Sequence, residues 1–302
     1  MTSLRARLPG FRHVTPVKAA AALIPMLAVM FVAALVTGLH PFHPEIEPTE
    51  QLLFEGIRYS REVRDTPRPM VIHIMRIDLT APGIRFLVTP RDNHSERPLE
   101  ARTTSAFAEE FGVQAAINAN YYRPYIPGFL VQGYPRSGHR VEPIGLAASN
   151  GDVYSWRFWR PGVLFINDNH EVSFNRPDRY HTMIAGNGFL LRRGRRPEFE
   201  ETRVYPRAAL GVDAGHTEMV LVVIDGKQPR YSEGATLDEL ADILERHGVH
   251  NAIRLDEGGS ATLLAQDEAG EAQVLNRPVA ARLPGYERPV ANHLGIFAHP
   301  IE

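Results

Sequence analysis

The segment from Leu221 to Leu264 leaves this chain little choice of local structure. An apolar run, Leu221 to Ile224, is closed by Asp225-Gly226, a tight-turn pair. Thr236 followed three residues later by Glu239 forms a capping box, which predicts a helix start. Leu237, Leu240, Ala241, Ile243 and Leu244 then repeat at helical spacing, and His247-Gly248 ends the helix with Gly248 as the left-handed terminator. A second apolar run from Asn251 stops at Asp256 and is followed by Glu257, Gly258, Gly259, Ser260 and Thr262. Strand, capped helix and strand thus deliver a carboxylate to a glycine-rich loop. Adjacent glycines allow positive φ and a close approach of backbone to a ligand. The same residues also suit a plain turn between strands.

Upstream, Leu52 to Val63, Met70 to Leu79 and Ile84 to Val88 read as strands, and Thr104 caps a helix that Gly112 ends after Phe111. From Gly128 to Phe174, short apolar runs alternate with turn signals such as Ser149-Asn150-Gly151-Asp152, the rhythm of antiparallel structure. Trp156, Phe158 and Trp159 suit either a core or a substrate platform, and at least one belongs in a core. The expected fold class is α+β, with mixed, largely antiparallel sheets and a few packed helices, preceded by one N-terminal transmembrane helix.

That helix is Ala19 to Leu39, a run free of charge and long enough to cross a hydrocarbon layer of about 30 Å. Arg5, Arg7, Arg12 and Lys18 precede it and Glu45, Glu47 and Glu50 follow, which orients the amino terminus toward the cytoplasm. The run exceeds the usual core of a cleaved signal peptide, so an anchor is the favoured reading. The expected organisation is a basic segment 1–18, an anchor or signal peptide 19–39, a proline-rich linker 40–51 and one domain 52–302 outside the cytoplasm, periplasmic or extracellular. The basic segment holds four of the 33 basic residues and none of the 35 acidic ones. What remains is acidic and has no basic footprint for nucleic acid. Cysteine is absent, which excludes disulfides and thiolate chemistry.

Four further motifs accompany the glycine loop: Ala116-Ile117-Asn118-Ala119-Asn120-Tyr121-Tyr122, Ala185-Gly186-Asn187-Gly188, Pro206-Arg207-Ala208-Ala209-Leu210-Gly211 and Arg288-Pro289-Val290-Ala291-Asn292. In this order, from Ala116 to Phe297, the chain resembles the phosphodiester glycosidase family. The chain departs from the family pattern at one central position. The family reads Asp-Gly-Gly-Gly-Ser, and Glu257 stands here where the first glycine is expected.

The resemblance implies a hydrolase that releases a sugar from a sugar-1-phosphodiester, on cell-envelope or exopolysaccharide glycans. Asp256 is the candidate nucleophile or base, and Arg207 the candidate cation for the phosphate, since a guanidinium matches phosphate oxygens two at a time. The competing role for Arg207 is a buried partner of Asp213 or Asp256. Glu257 joins the catalytic candidates as a second carboxylate beside Asp256. Asn118, Asn120, Tyr121, Asn187, Gly258, Gly259, Ser260 and Thr262 are the candidate substrate contacts, and Tyr122 and Tyr125 add aromatic faces suited to a sugar. The histidines form neither an HExxH motif nor a paired HxH. A hard divalent cation, calcium or magnesium, remains open on the oxygens of Asp225, Asp256 and Glu257. Two other readings stay alive: a non-catalytic module binding envelope glycan, and a cation-dependent phosphodiesterase that breaks P–O.

Overall fold

The computed structural model describes residues 46–123, 133–156 and 162–301. The unit Glu47–Glu302 holds the architecture that follows. Residues 19–39, Tyr125, Phe158 and Trp159 lie outside the described residues. Among the described residues no helix is long and apolar enough to cross a membrane.

Two sheets form the centre. One has seven antiparallel strands in the order Thr49–Phe54, Ile57–Arg64, Met70–Asp78, Glu218–Ile224, Arg207–Val212, Asn251–Arg254 and Phe189–Leu191. The other has five, in the order Ala272–Val274, Leu263–Gln266, Ala115–Asn118, His293–Phe297 and Arg85–Val88. Side chains of period two explain the packing of Glu218–Ile224. Met219, Leu221 and Val223 face a core shared with Ile117, Leu263 and Leu294 of the five-stranded sheet, while Val220, Val222 and Ile224 face the helix Leu237–Arg246. Covered on both faces, the strand is apolar from Met219 to Ile224. A second helix, Thr104–Phe111, covers the five-stranded sheet through Phe107 and Ala108, which pack on Ala116 and Leu264. A further five-stranded sheet, built from Asp152–Trp156, Leu146–Ser149, Thr182–Ala185, Val163–Ile166 and Val172–Ser173, adds Leu164, Ile166 and Ile184 to the central core.

The helix Leu237–Arg246 carries the expected capping box, with Thr236 N–H donating to Glu239 Oε2 at 2.8 Å and Glu239 N–H donating to Thr236 Oγ1 at 3.2 Å. Gly248 follows its end with φ +77. The strands before and after this helix both pair antiparallel with Arg207–Val212 and so run parallel to each other. A helical connection is what parallel strands require.

Two local readings change. Leu52 to Val63 is a hairpin rather than one strand, turned by Gly56 at φ +76, and its first strand begins at Thr49 inside the expected linker. The cap of the first helix is Thr103, whose Oγ1 accepts from Ala106 N–H at 3.1 Å, rather than Thr104. Of the three aromatics Trp156, Phe158 and Trp159, only Trp156 is among the described residues, and it is 60% exposed.

Candidate active site

The site lies where the chain crosses from the seven-stranded to the five-stranded sheet. Leu255 N–H donates to Ala208 O and Asp256 N–H to Ala119 O, both at 2.9 Å, so the crossing takes place at Asp256. Asn118 holds both ends of the following loop: its Nδ2 donates to Asp256 O at 2.6 Å and its Oδ1 accepts from Thr262 N–H at 3.0 Å. Between them Gly258–Ser260 makes one 3-10 turn.

The glycines serve the protein's own side chains. Gly258 has φ +71, and a Cβ there would stand 2.8 Å from the Tyr205 ring. A Cβ on Gly259 would lie 2.4 Å from Arg288 Nη2. Glu257, by contrast, has extended backbone at φ −124, which any residue adopts. The family's first glycine is therefore replaceable here and the next two are not.

Asp256 and Glu257 both face a cavity of about 230 Å³, with Tyr121, Tyr122, Tyr134, Arg203, Tyr205 and Arg288. Burial pushes the Asp256 carboxyl up to about 7, against the opposing influence of Ser260, Arg288 and the Glu257 N–H. Tyr121 is held above the ordinary phenol range by burial and by the charges of Glu257 and Asp256. Arg288, 8% exposed, stacks 3.4 Å from the Tyr134 ring centroid and donates to Ser260 Oγ at 3.2 Å. Its Nε is buried and has no hydrogen-bond partner. At Tyr205, Lys227 Nζ donates to the ring hydroxyl at 2.8 Å, and the Arg203 guanidinium lies 4.0 Å from the ring centroid.

Arg207 is a structural cation rather than a free phosphate ligand. It is fully buried, and its Nε donates to Ala235 O at 2.8 Å, its Nη1 to Glu257 Oε2 at 2.6 Å, and its Nη2 to Glu201 Oε1 at 2.8 Å and to Arg203 O. Its partners are thus Glu257 and Glu201, not Asp213 or Asp256. Glu201 continues to Arg254 at 3.1 Å. This ladder separates the smaller cavity from one of about 520 Å³ lined by Asn187, Phe189, Phe199, Glu201 and Arg254.

Several expected substrate contacts turn out to brace the fold. Asn118 is consumed by the loop, and Asn120 donates to Ile144 O and Leu146 O while accepting from Ala185 N–H and Asn292 Nδ2. Both are fully buried, as are Ser260, which accepts from Arg288, and Thr262. Asn187 lines the larger cavity, and Gly258 and Gly259 are packed under Tyr205 and Arg288. Asp225 leaves the candidate cation set because His73 Nε2, Tyr231 OH, Asn276 Nδ2 and Arg277 N–H take its oxygens at 2.7 to 3.1 Å. Burial works against its charge, yet His73, Asn276 and Tyr231 hold its carboxyl below the usual range. Among the described residues, no three histidine or carboxylate side chains gather as they would around a metal ion. The residues that sequence reasoning missed are Arg288, Arg203, Tyr134 and Tyr205. Arg288 opens the last of the sequence motifs, but no local pattern pairs it with a loop 28 residues away.

Related proteins share this architecture. A hypothetical protein from Synechocystis superposes with a TM-score of 0.61 at 15% identity, over 84% of this chain and 64% of its own. This chain therefore spans less than two thirds of that relative. The catalytic domain of zebrafish N-acetylglucosamine-1-phosphodiester alpha-N-acetylglucosaminidase, auto-inhibited by its pro-peptide, superposes with a TM-score of 0.56 at 18% identity, over 86% of this chain and 90% of its own. No curated protein matches in sequence. The phosphodiester glycosidase family model matches residues 111–297, more than half of the 302 residues. The chain therefore belongs to the phosphodiester glycosidase family.

Proposed function

We propose that this protein hydrolyses a sugar-1-phosphodiester at the anomeric carbon, on cell-envelope or exopolysaccharide glycans outside the cytoplasm. The observation that carries the reading is Asp256, a carboxyl titrating near pH 7 at the wall of a cavity that also holds Arg288, in a chain of this family. Such a group gives and takes protons at neutral pH. As carboxylate, Asp256 takes a proton from water while the water oxygen attacks the anomeric carbon. The bond from that carbon to the bridging oxygen breaks, and its electron pair leaves with the phosphate. The products are the free sugar and a phosphomonoester.

Because the leaving group is a stable anion, holding it matters more than protonating it. Arg288 is suited to hold it, because its Nε is unpartnered and its plane is fixed on Tyr134. Tyr121 and Tyr122 offer aromatic surface at the cavity wall to the C–H side of a sugar. Turnover of sugar-1-phosphodiesters in isotopically labelled water tests the reading. Label is expected in the sugar. Label in the phosphate would mean P–O cleavage, and saccharide binding without turnover would mean a glycan-binding module.

The location rests on the uncharged run 19–39 with its basic flank before and acidic flank after. A reporter fused after Glu302 is expected to be active only outside the cytoplasm. Reporter activity inside the cytoplasm would overturn this half of the reading.

A further inference from the structure

Arg207 makes four side-chain hydrogen bonds, to Ala235 O, Glu201, Arg203 O and Glu257; the one from Nη1 reaches the Glu257 carboxylate, a side chain that lines the smaller cavity. Between that nitrogen and the cavity stands the Glu257 carboxylate. Its Oε2 accepts from Arg207 Nη1 at 2.6 Å, and its Oε1 lies 3.5 Å from Arg203 Nη2. Nothing in the backbone asks for a glutamate at this position, since Glu257 is extended and its side chain makes no cap to the turn that follows. What the side chain does is supply an anion to two guanidinium groups at a cavity wall. A carboxylate held there stands where an incoming phosphate oxygen would otherwise meet Arg207.

We propose that Glu257 is the specificity-determining residue of this cavity. Its carboxylate fills the anion seat on Arg207, so the cavity accepts a singly charged phosphodiester on Arg288 and Arg203 and excludes doubly charged phosphomonoesters. The proposal rests on the reading of this cavity as a phosphodiester site. Asp256 and Glu257 stand against Arg288 and Arg203 at the wall, with Arg207 buried behind Glu257. A phosphomonoester carries about 1.5 to 2 negative charges near neutral pH and a diester one, so the ester with the larger charge meets the larger repulsion from Glu257. The same residue has a consequence for the reaction order: a phosphomonoester product, once formed, is expelled rather than retained.

Calorimetric titration of the full-length chain with methyl phosphate and dimethyl phosphate at pH 8 tests this without any turnover. Wild type is expected to bind dimethyl phosphate more tightly than methyl phosphate. Equal affinities, or tighter binding of methyl phosphate, would overturn the proposal with no substitution needed. Glu257→Gln, checked for a cooperative melt, is expected to gain at least about tenfold in methyl phosphate affinity and to lose the preference for the diester. Methyl phosphate affinity unchanged from wild type would likewise overturn it. Either failure is separable from failure of the functional reading, which is decided by where isotopic label enters the products of wild-type turnover.

Discussion

Asp256→Asn is expected to lower kcat on sugar-1-phosphodiesters by about 10²- to 10⁴-fold, the usual worth of a positioned proton-transfer group. The variant is also expected to melt at a higher temperature than wild type at pH 8. Both follow from one fact, that burial holds this carboxyl at about 7 rather than at 3.8. In the folded protein the group keeps its proton through a range where the unfolded chain has lost it. Its contribution to stability is therefore present at low pH, declines as pH rises from about 4, and is gone above about 7. Asparagine carries no charge to desolvate, so the gain over wild type is largest at pH 8 and vanishes toward pH 4. Wild-type kcat/KM should rise with pH through about 7 as the base form appears. A flat profile from pH 6 to 8, or near-normal turnover by the asparagine variant, would remove Asp256 from the chemistry.

Arg207→Met is expected to destabilise the domain by about 3 to 5 kcal/mol, measured by denaturant melts, because it leaves buried carboxylates without their cation. Glu257 is the more affected, being 8% exposed and losing its contact at 2.6 Å, whereas Glu201 keeps Arg254 at 3.1 Å. The backbone oxygens of Ala235 and Arg203 lose a donor as well. Replacing Glu257 by leucine in the same chain should recover part of the loss, since removing both charges is cheaper than removing one. A melt within about 1 kcal/mol of wild type together with a large fall in turnover would instead return Arg207 to the role of phosphate ligand.

These two residues illustrate what a sequence can and cannot display. Asp256 stands out because a strand pattern, a stop and two glycines fall within nine residues of one another. Arg207 stands out only through the family-like segment Pro206 to Gly211, and its role depends on a partner 50 residues away. Asn118 and Asn120 invite a substrate reading because amides suit hydroxyls. Their actual partners, the two ends of the glycine loop for one and three separate segments for the other, exist only once the sheets are assembled.

The local devices were determined by the sequence alone: the capping box at Thr236 and Glu239, the glycine terminator at Gly248, the apolar strands and the carboxylate leading into Gly258 and Gly259. Each is written within a few residues, and its physics is a hydrogen bond or a dihedral angle that the neighbouring chain already contains. Tertiary structure alone decided what those devices hold. Antiparallel pairing of distant strands brings Glu257 onto Arg207, the Arg288 segment onto Gly259 and Tyr134, and closes Asp256 into a cavity dry enough to lift its pKa to about 7. Burial and charge proximity are properties of the assembled sheets, because desolvation depends on everything that surrounds a group and not on its neighbours in the chain.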